Sequence, residues 1–343
     1  MKVFYSRLLF LRYFILFLAG LFPCAVIADG ISEWGGSNYV VTDLKLDRLN
    51  TEADWKDKEI FKTPACLLQA NRDKTYKDLS SLRASGQRKV ALLLWHTRLE
   101  KHMDCKGFLL DSSGGVFSPG VVDNLVSFLQ LAAKLGFDEV QIRFAPMGKN
   151  WPKEWKSWNE SLFQENWSLI RSTAVSLKVN NTPRVVFDLG AELGGLTAPG
   201  CVQCPEYTRR MWQEYTTEFG ADNSYGFSIA YAPGRLGRLI DTLRAVGPLP
   251  TDYAVDLYVE PSRVGVAISN LTREANDKGL DAPEFLIQET YYADQEMYQA
   301  LLAALRQNNV TIRAVMQWPQ VRGSNRKHFG VSSTPDYLYH PTP

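Results

Sequence analysis

Residues 139–145, EVQIRFA, and residues 184–189, RVVFDL, are short β-rich runs that bracket a helical pattern over Leu162–Leu177. A strand, a helix and a second strand at this spacing make one βαβ unit, which predicts a parallel sheet. The same alternation continues in both directions. Strands are expected at Lys89–Trp95, Tyr225–Ala230, Tyr253–Val259, Glu284–Gln288 and Thr311–Gln317. Helices are expected over Val121–Leu135, Pro205–Phe219, Arg235–Val246, Arg263–Lys278 and Gln295–Asn308. Gly136, Gly247 and Gly279 fall just past three of these helices, where a C-cap glycine belongs. A strand at Tyr39–Leu44, ahead of the irregular segment Asp47–Gln87, brings the count to eight. Eight β/α units in 343 residues fit one (β/α)8 barrel, an α/β fold. The competing open, doubly wound sheet would carry a glycine-rich phosphate loop after an early strand, and none is visible.

The first 28 residues read differently. Lys2, Arg7 and Arg12 precede the apolar run Tyr13–Phe22, and Ala25-Val-Ile-Ala28 closes the segment. This is the pattern of a cleavable signal peptide, and the run is short for a membrane span of ~20 residues. Cleavage after Ala28 would leave residues 29–343 as one barrel domain, periplasmic or secreted; the alternative is an uncleaved membrane anchor. Export implies an oxidising compartment, where the four remaining cysteines would pair. Pro199-Gly200 and Pro205 flank Cys201 and Cys204, which favours a stapled loop over a redox pair, and Cys66 and Cys105 form the second expected bridge. The four histidines are scattered at positions 96, 102, 328 and 340, so no zinc site is expected. With 38 basic and 37 acidic residues the chain has no bulk field for nucleic acid. Its aromatic content, 9 Trp, 15 Tyr and 17 Phe, suits an enzyme or binding domain for a neutral ligand.

A barrel forms its active site at the C-terminal ends of its strands. Alternation on the third strand sends Val140, Ile142 and Phe144 toward the helices and Arg143 inward. On the fourth, Asp188 and Glu192 share the inward row, with Glu192 at the mouth; the seventh ends on Glu289. Two glutamates across one mouth are what glycoside hydrolysis needs. One carboxylic acid protonates the leaving oxygen, and one carboxylate attacks the anomeric carbon or activates water.

These segments resemble clan-A glycoside hydrolases of the cellulase and xylosidase type. VVFDLGAE (185–192) is similar to their fourth-strand motif, and FLIQETY (285–291) to the seventh strand that ends on the nucleophile. Asp256-Leu-Tyr258 resembles the sixth-strand segment whose Tyr touches that nucleophile, and Gln317-Trp318 the eighth-strand Trp beneath the sugar. The resemblance implies Glu192 as acid/base, Glu289 as nucleophile, Tyr258 as its orienting partner and Trp318 as the platform. It implies a poly- or oligosaccharide substrate, retention of configuration and no cofactor.

One position departs from the pattern. The family places Asn before the acid/base, where it bonds the sugar 2-hydroxyl; this chain has Ala191. His96 and Arg143 are candidate substitute donors, and Arg143 has the alternative of pairing with Asp188 inside the barrel. Tyr291 is a further candidate for substrate contact. Trp151, Trp155 and Trp158, interleaved with Lys149, Lys153 and Lys156, would either present rings to a sugar or cover a loop. The departure also admits a glycan-binding pseudo-glycosidase that assists polysaccharide export. A third reading moves the chemistry to Asp256 or Glu260.

Overall fold

The structure, a computed structural model, describes residues 35–42, 61–99, 103–106, 108–177, 183–308, 310–319 and 322. The expected signal peptide lies outside the described residues. Eight parallel strands form the central sheet: β1 Gly36–Asn38, β2 Lys89–Thr97, β3 Glu139–Pro146, β4 Arg184–Asp188, β5 Ile229–Ala230, β6 Asp252–Asp256, β7 Glu284–Glu289 and β8 Thr311–Gln317. Each pairs in parallel with its successor except β4 and β5, which meet through the segment before β5, where Phe187 bridges Ser224. The pairing of β1 with β8 closes the ring. A (β/α)8 barrel results.

Helices α1 Arg72–Ala84, α2 Pro119–Leu135, α3 Glu160–Leu177, α4 Cys204–Phe219, α5 Arg235–Arg244, α6 Val264–Asp277 and α7 Gln295–Asn308 alternate with the strands. The ends of α2 follow from local chemistry. Ser118 caps its first turn by accepting from the Val121 amide, Pro119 opens it, and Gly136 takes the left-handed C-terminal position at φ 81°.

Two strand expectations shift. Tyr39–Leu44 is not the first barrel strand: among its described residues, 39–42, Val41–Thr42 is the strand, and it pairs antiparallel with Phe61–Lys62. The ring uses Gly36–Asn38 instead. A Cβ on Gly36 would sit 2.1 Å from the Lys89 carbonyl oxygen, so only glycine lets β1 approach β2 so closely. The fifth strand shrinks to Ile229–Ala230 because Gly226, at φ 71°, interrupts extension from Tyr225.

Val140, Ile142, Phe144, Phe187 and Leu189 pack outward against the helices, as alternation requires. The barrel interior holds a small cluster of its own: Ala91, Val186, Tyr225, Ala254, Leu286, Ala314 and Met316. Arg143 is fully buried as well. Disulfides join Cys66 to Cys105 and Cys201 to Cys204, with Cα–Cα separations of 6.0 and 5.4 Å. The first ties the β1–β2 connection to the β2–β3 connection; the second staples the loop before α4.

Candidate active site

At the C-terminal end of the strands lies a cavity of about 390 Å³. Glu192 and Glu289 both line it, with Tyr258, Trp318, Trp95, Trp151 and Ala191 among the other walls. Four residues expected from the sequence alone therefore converge on one space: the two glutamates, Tyr258 and Trp318.

Glu289 ends β7 and is almost wholly buried. Both its carboxylate oxygens accept hydrogen bonds, one from Arg143 Nη1 and one from Tyr258 Oη at 2.8 Å. The carboxylate is thereby fixed in orientation. Burial, reinforced by the charge of Glu289, pushes the Tyr258 hydroxyl well above its ordinary range, so it stays a neutral donor. Tyr291 packs edge-on against Tyr258, with ring centroids 5.2 Å apart. It buttresses the tyrosine from outside the wall of this cavity.

Glu192 follows β4 with a left-handed backbone, φ 59°, uncommon for a residue with a side chain. Neighbours on both sides hold it there. Its amide donates to Ser228 Oγ at 2.9 Å, and Arg235 Nη2 donates to its carbonyl at 2.6 Å. The side chain opens onto the cavity. Enclosure by the surrounding walls, then the charge of Glu289, raises its carboxyl above the usual range, while Arg143 and Arg235 oppose the shift. A carboxyl that keeps its proton toward neutral pH is suited to act as a general acid.

Arg143 does not reach the cavity. Its five N–H donors are matched by five acceptor groups: Asp188 Oδ2 at 3.1 Å, Asn38 Oδ1 at 2.9 Å, Glu289, Ser228 Oγ at 3.1 Å and the Asp256 carboxyl at 3.3 Å. Burial disfavours the cation, but Asp256, Glu289 and Asp188 outweigh it and raise its pKa. The expected sugar contact is corrected to a positioning role, since no donor is left over. Asp256 lies beneath the cavity, its carboxyl pushed far up by burial and by Glu289. Glu260 stands outside, paired with Arg322 at 3.5 Å.

His96 is likewise corrected. It sits on the outward row of β2 with Val90, Leu92 and Leu94, fully buried, its Nδ1 3.2 Å from Ser112 Oγ and its ring against Phe144. Burial lowers its pKa to about 3. The neighbours on the inward row, Leu93 and Trp95, line the cavity instead. Neither substitute for the missing Asn at 191 is therefore available.

The three tryptophans after β3 divide. Trp151 lines the cavity. Trp155 is buried, donates to the Lys149 carbonyl at 2.8 Å and packs edge-on against Trp158 and Tyr207. Trp158 lies under Arg210, 5.1 Å from its ring centroid. These two cover a loop. Trp95, Asn38, Ser228 and Arg235 were not anticipated. Alternation on the second strand carried the signal for Trp95, because it falls on the row opposite Val90, Leu92 and Leu94.

The (β/α)8 barrel is shared with solved structures of glycoside hydrolases. Among solved structures, a GH5_18 variant from Streptomyces cattleya in complex with Manb1-4GlcNAc superposes with a TM-score of 0.55 at 15% identity, over 90% of this chain and 78% of that one. A GH5_18 from Bifidobacterium longum subsp. infantis gives 0.53 at 10% identity, over 88% and 74%. The exo-beta-1,4-mannosidase from Opitutaceae bacterium strain TAV5 gives 0.50 at 16% identity, over 84% of this chain and only 51% of that longer one. No protein-family model and no curated protein matches the chain.

Proposed function

We propose that the chain is an exported retaining glycoside hydrolase acting on a poly- or oligosaccharide, such as an exopolysaccharide or wall glycan. The observation that carries this is the pairing of Glu192 and Glu289 on one cavity, with Glu192 held toward its protonated form and Glu289 clamped by Tyr258 and Arg143. Glu289 attacks the anomeric carbon while Glu192 gives its proton to the departing oxygen. Glu192 then takes a proton from the water that releases the glycosyl-enzyme. Trp318 and Trp95, edge-on at 6.1 Å, form the aromatic corner against which the sugar packs. The β-mannosides named in the solved neighbours are the first linkages to assay. Export rests on residues 1–28.

Glu289→Ala is expected to abolish turnover, and azide to restore it as the glycosyl azide of inverted configuration. Glu192→Ala is expected to spare substrates with activated leaving groups and slow native glycosides by ~10²–10⁴-fold, the usual worth of general acid catalysis. Undiminished turnover in Glu289→Ala overturns the assignment. Ala191, with no donor to replace the family's Asn, favours one second reading: a glycan-binding pseudo-glycosidase. That reading requires the wild-type chain to bind glycans and to turn over none of a panel of aryl glycosides and polymers.

A further inference from the structure

Beside the catalytic cavity lies a second, larger depression of about 900 Å³, and the two share Met147 and Trp151 in their walls. Its lining is charged as well as aromatic. Arg98, Lys149 and Lys156 face it against a single carboxylate, Glu154. The buried Glu165 already holds Arg98, at 2.6 Å. Lys149 and Lys156 form no ion pair with any described residue, and Lys153 sits over the Trp151 ring at 4.9 Å from its centroid. Two lining lysines against one glutamate leave an excess of positive charge along this wall, in a chain whose overall charge is only +1. Two lysines without an ion partner on one wall repel each other, and an anion placed between them relieves that repulsion.

We propose that this groove binds a carboxylate-bearing sugar, of the uronic acid type, within the same glycan chain whose glycosidic bond lies between Glu192 and Glu289. The proposal rests on the hydrolase reading for the direction of the chain: a glycan leaving the catalytic cavity past Trp151 enters the groove directly. Lys149 and Lys156 meet the carboxylate, Asn159 and Ser161 supply hydroxyl-matching polar groups, and Trp151 offers the turning point between the two spaces. The overall charge suits a neutral ligand, and the local charge of this groove departs from that expectation in favour of a chain with anionic units.

Binding is measured without turnover, by affinity electrophoresis of the full chain carrying Glu289→Gln, in gels containing a polyuronate, a sulfated polysaccharide or a neutral β-mannan. Repeating the series with the chain unaltered at Glu289 guards against an effect of that substitution. An exposed ion pair contributes up to about fivefold in affinity, so Lys149→Gln with Lys156→Gln is expected to weaken polyuronate binding roughly tenfold. Mannan binding is expected to change less than twofold, and added salt to erase the difference between variants. Thermal melting of the double variant confirms that the fold is intact. Equal retardation by polyuronate and mannan, or a double variant that binds polyuronate as the parent does, overturns the proposal. So does preferential binding of the sulfated polymer, which would mark a charge-only surface. A neutral glycan cleaved through Glu289, with no polyuronate binding, sinks the groove alone; an inert Glu289 with lysine-dependent polyuronate binding sinks the hydrolase reading alone.

Discussion

Glu139 and Arg143 stand four residues apart on the inward row of β3, about 13 Å along the strand, and their surroundings are opposite in sign. At the lower end Glu139 meets Arg313 at 2.9 Å, with Lys89 and Arg184 each at 3.7 Å, and Arg313 also pairs with Asp252 at 2.7 Å. Burial pushes the Glu139 carboxyl up, but Arg313 and Lys89 outweigh it and bring it below its ordinary value. Cations outnumber carboxylates there, and the cluster closes the barrel floor. At the upper end one arginine faces Asp188, Asp256 and Glu289. Negative charge is in excess, and the carboxyls of Asp256 and Glu192 are driven up. The same kind of buried ion cluster carries an excess of cations at the barrel floor and an excess of carboxylates beneath the cavity.

Removing the centre of the upper cluster tests the contrast most severely. Arg143→Met strands three carboxylates and is expected to cost about 3–5 kcal/mol at neutral pH in urea unfolding. Part of that loss should be recovered in acid, as the carboxylates protonate. Next in size, Glu139→Gln should cost about 3 kcal/mol at pH 7, because it leaves Arg313 and Lys89 facing an amide. Asp256→Asn should differ from the wild type by less than about 1 kcal/mol near pH 4, since an amide resembles the protonated acid. A large loss there would mean that Asp256 is ionised and the two ends are alike.

The pH dependence of stability sharpens the comparison further, with the smallest differences. Glu139 is lowered in the fold, so its contribution is present above the ordinary value of 4.5 and lost as pH falls. Asp256 is raised, so the fold is favoured below the ordinary value of 3.8 and loses that advantage as pH rises. Glu139→Gln should therefore flatten the acid limb of the stability profile. Asp256→Asn should gain on the wild type as pH climbs from 4 to 7. Parallel profiles for the two variants would contradict the opposite signs.

Much of the barrel was legible because its longer strands are rich in β-branched residues and its helices are long and amphipathic. Glu192 and Glu289 were legible at strand ends, where alternation stops, and Tyr258 and Trp318 through the motifs that resemble clan-A hydrolases. β1 was not. Gly-Ser-Asn carries no apolar or β-branched signal, and its place depends on a close approach to β2 that only the assembled ring reveals. The inward direction of Arg143 could be read from alternation on β3, but its isolation from the cavity could not. That depends on acceptors from β1, β4, β6 and β7 and on Ser228, just before β5, which together saturate it. His96 is a different case. Its outward row was visible in Val90, Leu92 and Leu94, and its proposed sugar contact came from the gap left by Ala191 rather than from its own strand.

The left-handed backbone at Glu192 places a side chain where the chain would prefer glycine. Non-glycine residues in that conformation carry a conformational penalty of about 1–2 kcal/mol. A glycine at 192 would thus relieve the backbone and raise thermal stability while removing the carboxyl that opens onto the cavity. The fold is, at this one residue, less stable than its own sequence neighbourhood permits, and selection for stability alone would erase the glutamate.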